Sequence, residues 1–129
     1  MTAEVQEGSM TATDDSRNDQ GLTPAQAVSL AKLVEVAPAA TVSRVIARTS
    51  GGSVTLFAFA ANQEISEHSA PFDAMVQVLD GDLEVTIGGE AIDLGRGEAV
   101  LMPANVPHAL RARSDCKMQL IMLREPEGE

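Results

Sequence analysis

The chain has 129 residues, room for one domain and one core. Hydrophobic residues make up 44% of it and the non-histidine aromatics are only Phe57, Phe59 and Phe72, so the composition predicts an aliphatic core rather than disorder. Nine basic against nineteen acidic residues leave a net charge of −10, with no basic stripe, which argues against nucleic acid and anionic membranes as partners and reads as a solubilising surface.

Residues 1–21 are polar, with Glu4, Glu7, Asp14, Asp15 and Asp19 against Arg17, and are expected to form a disordered acidic tail. They contain no apolar h-region, so they do not read as a signal peptide. No later segment approaches the roughly 20 apolar residues that span a bilayer. The single cysteine, Cys116, rules out an internal disulfide and argues against a secreted, stapled scaffold. A cytoplasmic setting is the expectation. Residues 22–40 include LTPAQAVSLAKLVEV, with Thr23 as a candidate N-cap and Pro24 at the first helical position. This stretch suits either a short helix or an extended arm, and the sequence leaves both open.

From Thr41 the punctuation is that of a β-protein. TVSRVIART ends at Gly51-Gly52, and SVTLFAFA alternates Val54, Leu56, Ala58 and Ala60 against Thr55, Phe57 and Phe59. AMVQVL runs into Asp80-Gly81 and LEVTI into Gly88-Gly89, dipeptides that suit the positive φ of tight hairpins. AIDL, AVLM, HALRAR and KMQLIML follow at short spacings. Some eight short strands without helical periodicity predict an all-β sandwich, jelly roll or closed barrel over residues 41–124, followed by a short tail, 125–129. Arg111 and Arg113 share a strand face opposite Leu110 and Ala112 and are expected to point outward.

His68 and His108 are the only histidines. GEAVLMPANVPHALRA places Gly97, Pro103 and His108 in the register G-x5-P-x-G-x2-H-x3-N, with Asn105 in the second glycine position and Ala112 in the asparagine position. Asn replaces Gly with little cost where φ is positive. Upstream, Asn62, His68, Ala70, Ala74 and Gly81 keep the register G-x5-H-x-H-x3-E-x6-G, with alanine at the second histidine and at the glutamate. On these two motifs the chain resembles the cupins, small RmlC-like jelly-roll barrels, over residues 41–124. The stretches EHSAP, VQVLDG and PANVPHAL are similar to a subgroup of small single-domain cupins, most of them without an assigned reaction.

The resemblance implies an all-β cupin fold, the RmlC-like double-stranded β-helix, and a homodimer formed through sheet faces, with Phe57, Phe59, Leu79, Ile121 and Leu123 as candidate contributors. It also implies that three histidines and a glutamate of the full motif set hold one divalent ion of Fe, Mn, Ni, Zn or Cu. This chain keeps His68 and His108 of that set, and a third ligand would have to come from Glu67, Asp73, Gln77 or Gln119. The bland reading of each histidine is a hydrogen-bonded structural imidazole; against it, both stand at motif positions whose side chains face one another in the family. The two alanines remove charge and open volume, which suits an apolar or aromatic ligand. His68 and His108 are then polar anchors, with Ala70, Ala74, Met102 and Met118 as candidate lining, although any methionine alone is more simply core filler.

Three functions compete: a module binding a small organic ligand, a metal-dependent dioxygenase or isomerase, and a metal-independent isomerase or epimerase with a histidine base. The missing ligands count against the second and the lack of a paired acid against the third, so the binding module is the preferred expectation. Cys116 has no histidine near it in sequence and reads as a buried thiol.

Overall fold

The computed structural model describes residues 21–125, so the expected acidic tail lies outside the described residues except for Gly21, and the C-terminal tail except for Glu125. Nine strands follow one another: β1 Thr41–Thr49, β2 Gly52–Phe59, β3 Glu64–His68, β4 Asp73–Asp80, β5 Leu83–Ile87, β6 Glu90–Leu94, β7 Ala99–Met102, β8 His108–Ala112 and β9 Cys116–Leu123. They form two antiparallel sheets, in the orders β1-β2-β9-β4-β7 and β3-β8-β5-β6. Eight of these strands match the runs read from the sequence. The ninth, β3, was not foreseen: its sequence EISEH offers one apolar residue in five, and it runs along a sheet edge where water tolerates that composition.

The pairs β2–β9, β3–β8, β4–β7 and β5–β6 are nested. The chain is therefore one long hairpin, closed at Gly88-Gly89 between Ile87 and Glu90, and rolled into a jelly-roll barrel. Both glycines have positive φ, 58° and 88°, as the two-residue turn requires. Asp80-Gly81 departs from its expected role as a hairpin turn. Strands β4 and β5 lie in different sheets, and Gly81 carries the chain across the barrel edge. Its φ is +87°, and an added β-carbon would collide with the carbonyl oxygen of Asp115.

Between the sheets lies the main core. Strand β4 sends Ala74, Val76 and Val78 inward, β9 sends Cys116 and Met118, β5 sends Leu83 and Val85, and β8 sends Leu110 and Ala112. The period-two alternation of each strand produces this division without further help. Phe59 belongs to the same core and Phe57 packs against it, their rings stacked at 5.7 Å. Both phenylalanines are thus turned inward, away from any sheet-face contact with a second subunit, because Thr55, Phe57 and Phe59 occupy the face of β2 opposite Leu56 and Ala58.

The N-terminal stretch is an arm. Its only regular element is a single 3-10 turn, Leu30–Lys32, while Pro24-Ala25 forms an isolated turn with Ala25 at φ 64°. A positive φ directly after Pro24 ends the helical option there. The arm packs Val34, with Leu30, Leu33 and Val36, onto Ile46, Leu56 and Ala58, so β2 is buried on both faces. Two cations of the barrel fix it by donating to its carbonyls: Lys117 Nζ to Ala31 at 2.7 Å and an Arg44 guanidinium N–H to Leu33 at 3.2 Å. No helix among the described residues is long and apolar enough to cross a membrane.

Gly81 and Gly89 have nearly the same φ, but only Gly81 is crowded, since nothing approaches within 4 Å of a β-carbon built at Gly89. Gly81→Ala is expected to lose more than about 2 kcal/mol and Gly89→Ala only about 1 kcal/mol, measured as unfolding free energies in urea.

Candidate functional site

Strand β3 pairs with β8 through Glu64 opposite Arg111 and Ile65 opposite Leu110, and then His68 opposite His108. Three steps along β3 match two along β8, which is a β-bulge of one residue. Ile65 faces the core, so unbroken alternation would turn Glu67 inward and His68 out. The extra residue reverses this and brings His68 onto the inner face beside His108. The two histidines, 40 residues apart in sequence, thereby become direct cross-strand neighbours.

His108 shares the inward face of β8 with Leu110 and Ala112 and is only 5% exposed, whereas His68 lies at the rim and is exposed. Their rings meet edge to face, with centroids 4.4 Å apart and planes at 75°. The Nε2 atoms stand 3.1 Å apart. Each Nδ1 contacts the backbone carbonyl two residues earlier, Ser66 O at 2.9 Å for His68 and Val106 O at 3.2 Å for His108. A carbonyl can only accept, so both Nδ1 atoms carry hydrogen. In the neutral rings both Nε2 atoms are then bare lone pairs directed at each other. Such a pair is satisfied only by something positive between or beside them: a proton, a donor hydrogen or a cation.

Burial lowers the pKa of His108, and the neighbouring His68 lowers it further, against a smaller opposite effect of the Val106 carbonyl. The inner site is thus biased to keep His108 neutral and its Nε2 available as an acceptor.

The remaining expected lining residues divide by depth. Sheet pairing places Met102 opposite Ala74, Ala74 opposite Met122, and Met122 opposite Ser53. This row crosses the larger sheet at the same end of the barrel as the histidines. The connection from His68 to Asp73 and that from Met102 to His108 are both short, and they are tied together by the Asn105 N–H donating to Ala70 O at 2.7 Å. Asn105 and Asn62 adopt φ of 66° and 73°, the positive values read from their glycine positions. Met118 lies deeper, opposite Val78 and Phe57, and is fully enclosed in the core.

The four candidates for a third ligand do not join the histidines. Asp73 Oδ1 accepts from Ala104 N at 2.8 Å, and Gln119 Nε2 donates to Gln77 Oε1 at 2.8 Å on the outer face of the large sheet. Glu67 is exposed on β3, the residue that the bulge turns away. Among the described residues no group of three or more His, Cys, Asp and Glu side chains is placed to hold a metal. Cys116 is 1% exposed, and burial, followed by Asp82 and Asp80, pushes its thiol up to about 12, so it is unreactive at neutral pH. Arg111 and Arg113 do point outward, and there they pair with Glu84 and Asp93.

Residues 55–124 match the cupin domain family Cupin_2. The chain belongs to the cupins. Among solved structures, this cupin is similar to a conserved protein of unknown function from Streptococcus pyogenes, with 33% identity and a TM-score of 0.76 over 81% of this chain and 91% of that one. It is similar also to a cupin superfamily protein from Desulfitobacterium hafniense, at 27% identity and a TM-score of 0.76 over 81% and 95% of the two chains. A cupin 2 conserved barrel domain protein from Leptotrichia buccalis is 33% identical, with a TM-score of 0.70 over 73% of this chain and 46% of that one. A search of curated proteins finds no match.

Sequence reasoning did not single out Arg48, Ser53 or Arg124, which line a cavity at this end of the cupin barrel. No motif marks them, because the orientation of Arg48 depends on a second bulge, in β1.

The lowered pKa of His108 has a direct consequence for stability. The folded state takes up this proton less readily than the unfolded chain, whose histidines titrate near 6.5. This contribution leaves the metal-free protein's stability unchanged above about pH 7.5 and reduces it as pH falls below about 6.5, levelling off once pH is under the folded-state value. Melting temperatures between pH 8 and pH 5 in the presence of a chelator are expected to fall more steeply for the wild type than for His108→Gln.

Proposed function

We propose that this cupin binds a small organic molecule at the histidine end of its barrel, with His68 and His108 as paired acceptors and with the Met102–Ala74–Met122 row against the ligand's apolar part. The observation that carries the reading is the 3.1 Å approach of two Nε2 atoms whose Nδ1 partners are both backbone carbonyls. Two converging acceptors select a hydroxyl or N–H group on the ligand, and an apolar neighbourhood strengthens that hydrogen bond. The alanines at positions 70 and 74 support the reading by keeping charge out of this region. The single, buried cysteine supports a cytoplasmic setting.

A second reading is favoured by the same spacing. Metal–imidazole bonds are about 2.0–2.1 Å long, so two of them can meet across a 3.1 Å gap. His68 and His108 would hold such an ion through Nε2, with the small molecule or water completing its coordination. The ion would supply Lewis-acid polarisation of a bound oxygen. Its affinity would be modest, because only two protein ligands reach it. The carbonyls of Ser66 and Val106 would still serve by fixing both rings in the tautomer that presents Nε2.

Phenol and benzene separate these readings, since only phenol offers a donor hydrogen. Metal-free wild type is expected to be stabilised by phenol more than by benzene in thermal melts, and the difference should vanish in the His68→Ala/His108→Ala variant. A stoichiometric divalent ion that survives purification and is lost in that variant, detected by elemental analysis, would overturn the ranking in favour of the metal.

We also propose a homodimer. On the large sheet's outer face the arm cluster takes in β1, β2 and Leu79 near the end of β4, but the cross-strand row Leu101–Met75–Ile121 lies beyond it. Leu101 and Leu123 are each 50% exposed on that open half. A second copy is its proposed cover, without Phe57 and Phe59. Light scattering should return twice the monomer mass for the wild type and the monomer mass for Leu101→Glu/Leu123→Glu.

A further inference from the structure

Strand β1 carries a bulge between Val45 and Ala47. Val45 stands opposite Thr55, on the inner face of β2 that also bears Phe57 and Phe59. Plain alternation from Val45 would send Ala47 inward and Arg48 outward. The extra residue, Ile46, is buried under the N-terminal arm instead, and Arg48 falls directly opposite Ser53. Ser53 is two residues before Thr55, so Ser53 and Arg48 share the inner side of the sheet. Arg48 thus extends the row Met102–Ala74–Met122–Ser53.

At this end of the barrel, Arg48, Thr49, Ser50, Ser53, Met122 and Arg124 line a cavity of about 450 Å³. Arg124 follows β9, its backbone N–H donates to Gly51 O at 2.8 Å, and its guanidinium lies 4.7 Å from the centre of the Phe72 ring. The close approach of the two strands there leaves no room for a side chain at Gly52, whose β-carbon would collide with the Met122 carbonyl oxygen.

Two of the nine cations of an acidic chain meet in this cavity. Among the described residues, neither Arg48 nor Arg124 has an ion-pair partner, in contrast to Arg111 and Arg113. Between them, the Ser53 hydroxyl oxygen is buried and has no hydrogen-bond partner. A buried hydroxyl left without a partner costs roughly 1–3 kcal/mol, a cost that a ligand's acceptor atom would remove. Thr49 Oγ1 accepts from Gly51 N at 3.1 Å, which leaves its own hydrogen free to donate. Among the described residues, the walls therefore offer two guanidinium groups and hydroxyl donors with no carboxylate opposing them. Guanidinium matches planar or tetrahedral oxyanions with paired N–H donors.

We propose that this cavity is an oxyanion site that binds the carboxylate or phosphate group of a small molecule, through Arg48, Arg124 and the Ser53 hydroxyl. The cavity lining includes neither His68 nor His108, although it shares Met122 with the row placed against the histidines' ligand, and the oxyanion assignment does not rest on what that pair holds.

Full-length protein, titrated at constant ionic strength with inorganic phosphate in one arm and succinate in the other, tests the assignment through backbone amide shifts. Saturable shifts centred on residues 49–53 and 122–124 are expected, and the arm with the tighter binding identifies the oxyanion. Arg48→Gln and Arg124→Gln should each weaken that binding about tenfold or more. Ser53→Ala should weaken it less, and should melt no lower than the wild type because it removes an unpartnered hydroxyl. Arg111→Gln, on the outer face of the other sheet, should leave the affinity unchanged. Shifts that do not saturate for either anion, or equal affinity in the wild type and the folded Arg48→Gln/Arg124→Gln variant, would overturn the proposal.

Discussion

The pairing of β3 with β8, in a register that carries one surplus residue, is the contact on which the site depends. Without the surplus, Glu67 would point into the barrel and His68 into water. With it, two imidazoles separated by 40 residues of chain come within hydrogen-bonding distance. The nested topology makes this pairing unavoidable: once Gly88-Gly89 closes the long hairpin, each earlier strand must find its later counterpart, and β3 can only meet β8. A bulge costs ladder hydrogen bonds locally, which an edge strand can surrender to solvent more cheaply than a central one.

Electrostatics then give the pair its character. Carbonyls two residues upstream claim the hydrogen of both rings, in the same way on both strands, so the protein presents two lone pairs rather than a donor and an acceptor. Burial of His108 opposes its protonation, which keeps the inner ring in the acceptor state. The polar contacts around the pair reinforce the geometry. Asp73 caps the loop before β8 through Ala104, and Asn105 bonds back to Ala70, so the two loops that lead into the histidines' strands and the larger sheet hold one another in place.

The same end of the barrel gathers further inward polar groups, Ser53 and Arg48, the latter again through a bulge. Strand β1 turns Arg48 inward by one extra residue just as β3 turns His68 inward. Away from this end, the interior is filled by Val76, Val78, Leu83, Val85 and Met118, all without measurable exposure. The molecule therefore divides into a closed aliphatic end and an end that carries His68, His108, Ser53 and Arg48. The arm adds a second apolar layer behind β2, held by Lys117 and Arg44.

Eight of the nine strands were legible because alternation of apolar and polar residues follows directly from the pleat, and glycine or asparagine marked positions of positive φ at Asn62, Asn105 and Gly88-Gly89. The spacing of His68 and His108 relative to Pro103, Gly81 and Gly97 carried the family. The one missed strand, EISEH, is the strand that bears His68, since an edge segment that faces water leaves no apolar period to read. The role of Asp80-Gly81 was likewise hidden, because a hairpin and a crossing between sheets place the same demand on φ.

What the sequence determined by itself was the all-β class, the register of the two motifs and the presence of alanine at positions 70 and 74, where the motif has a histidine and a glutamate. These are properties of local periodicity and spacing, which each segment expresses without knowing its partner. Only the tertiary structure decided which way His68 and Arg48 point, which atoms of the imidazoles face each other, and that Asp73, Gln77 and Gln119 are committed elsewhere. Each of those outcomes depends on a single-residue slip between paired strands or on a contact across the barrel, and a one-residue slip reverses the face of every residue beyond it.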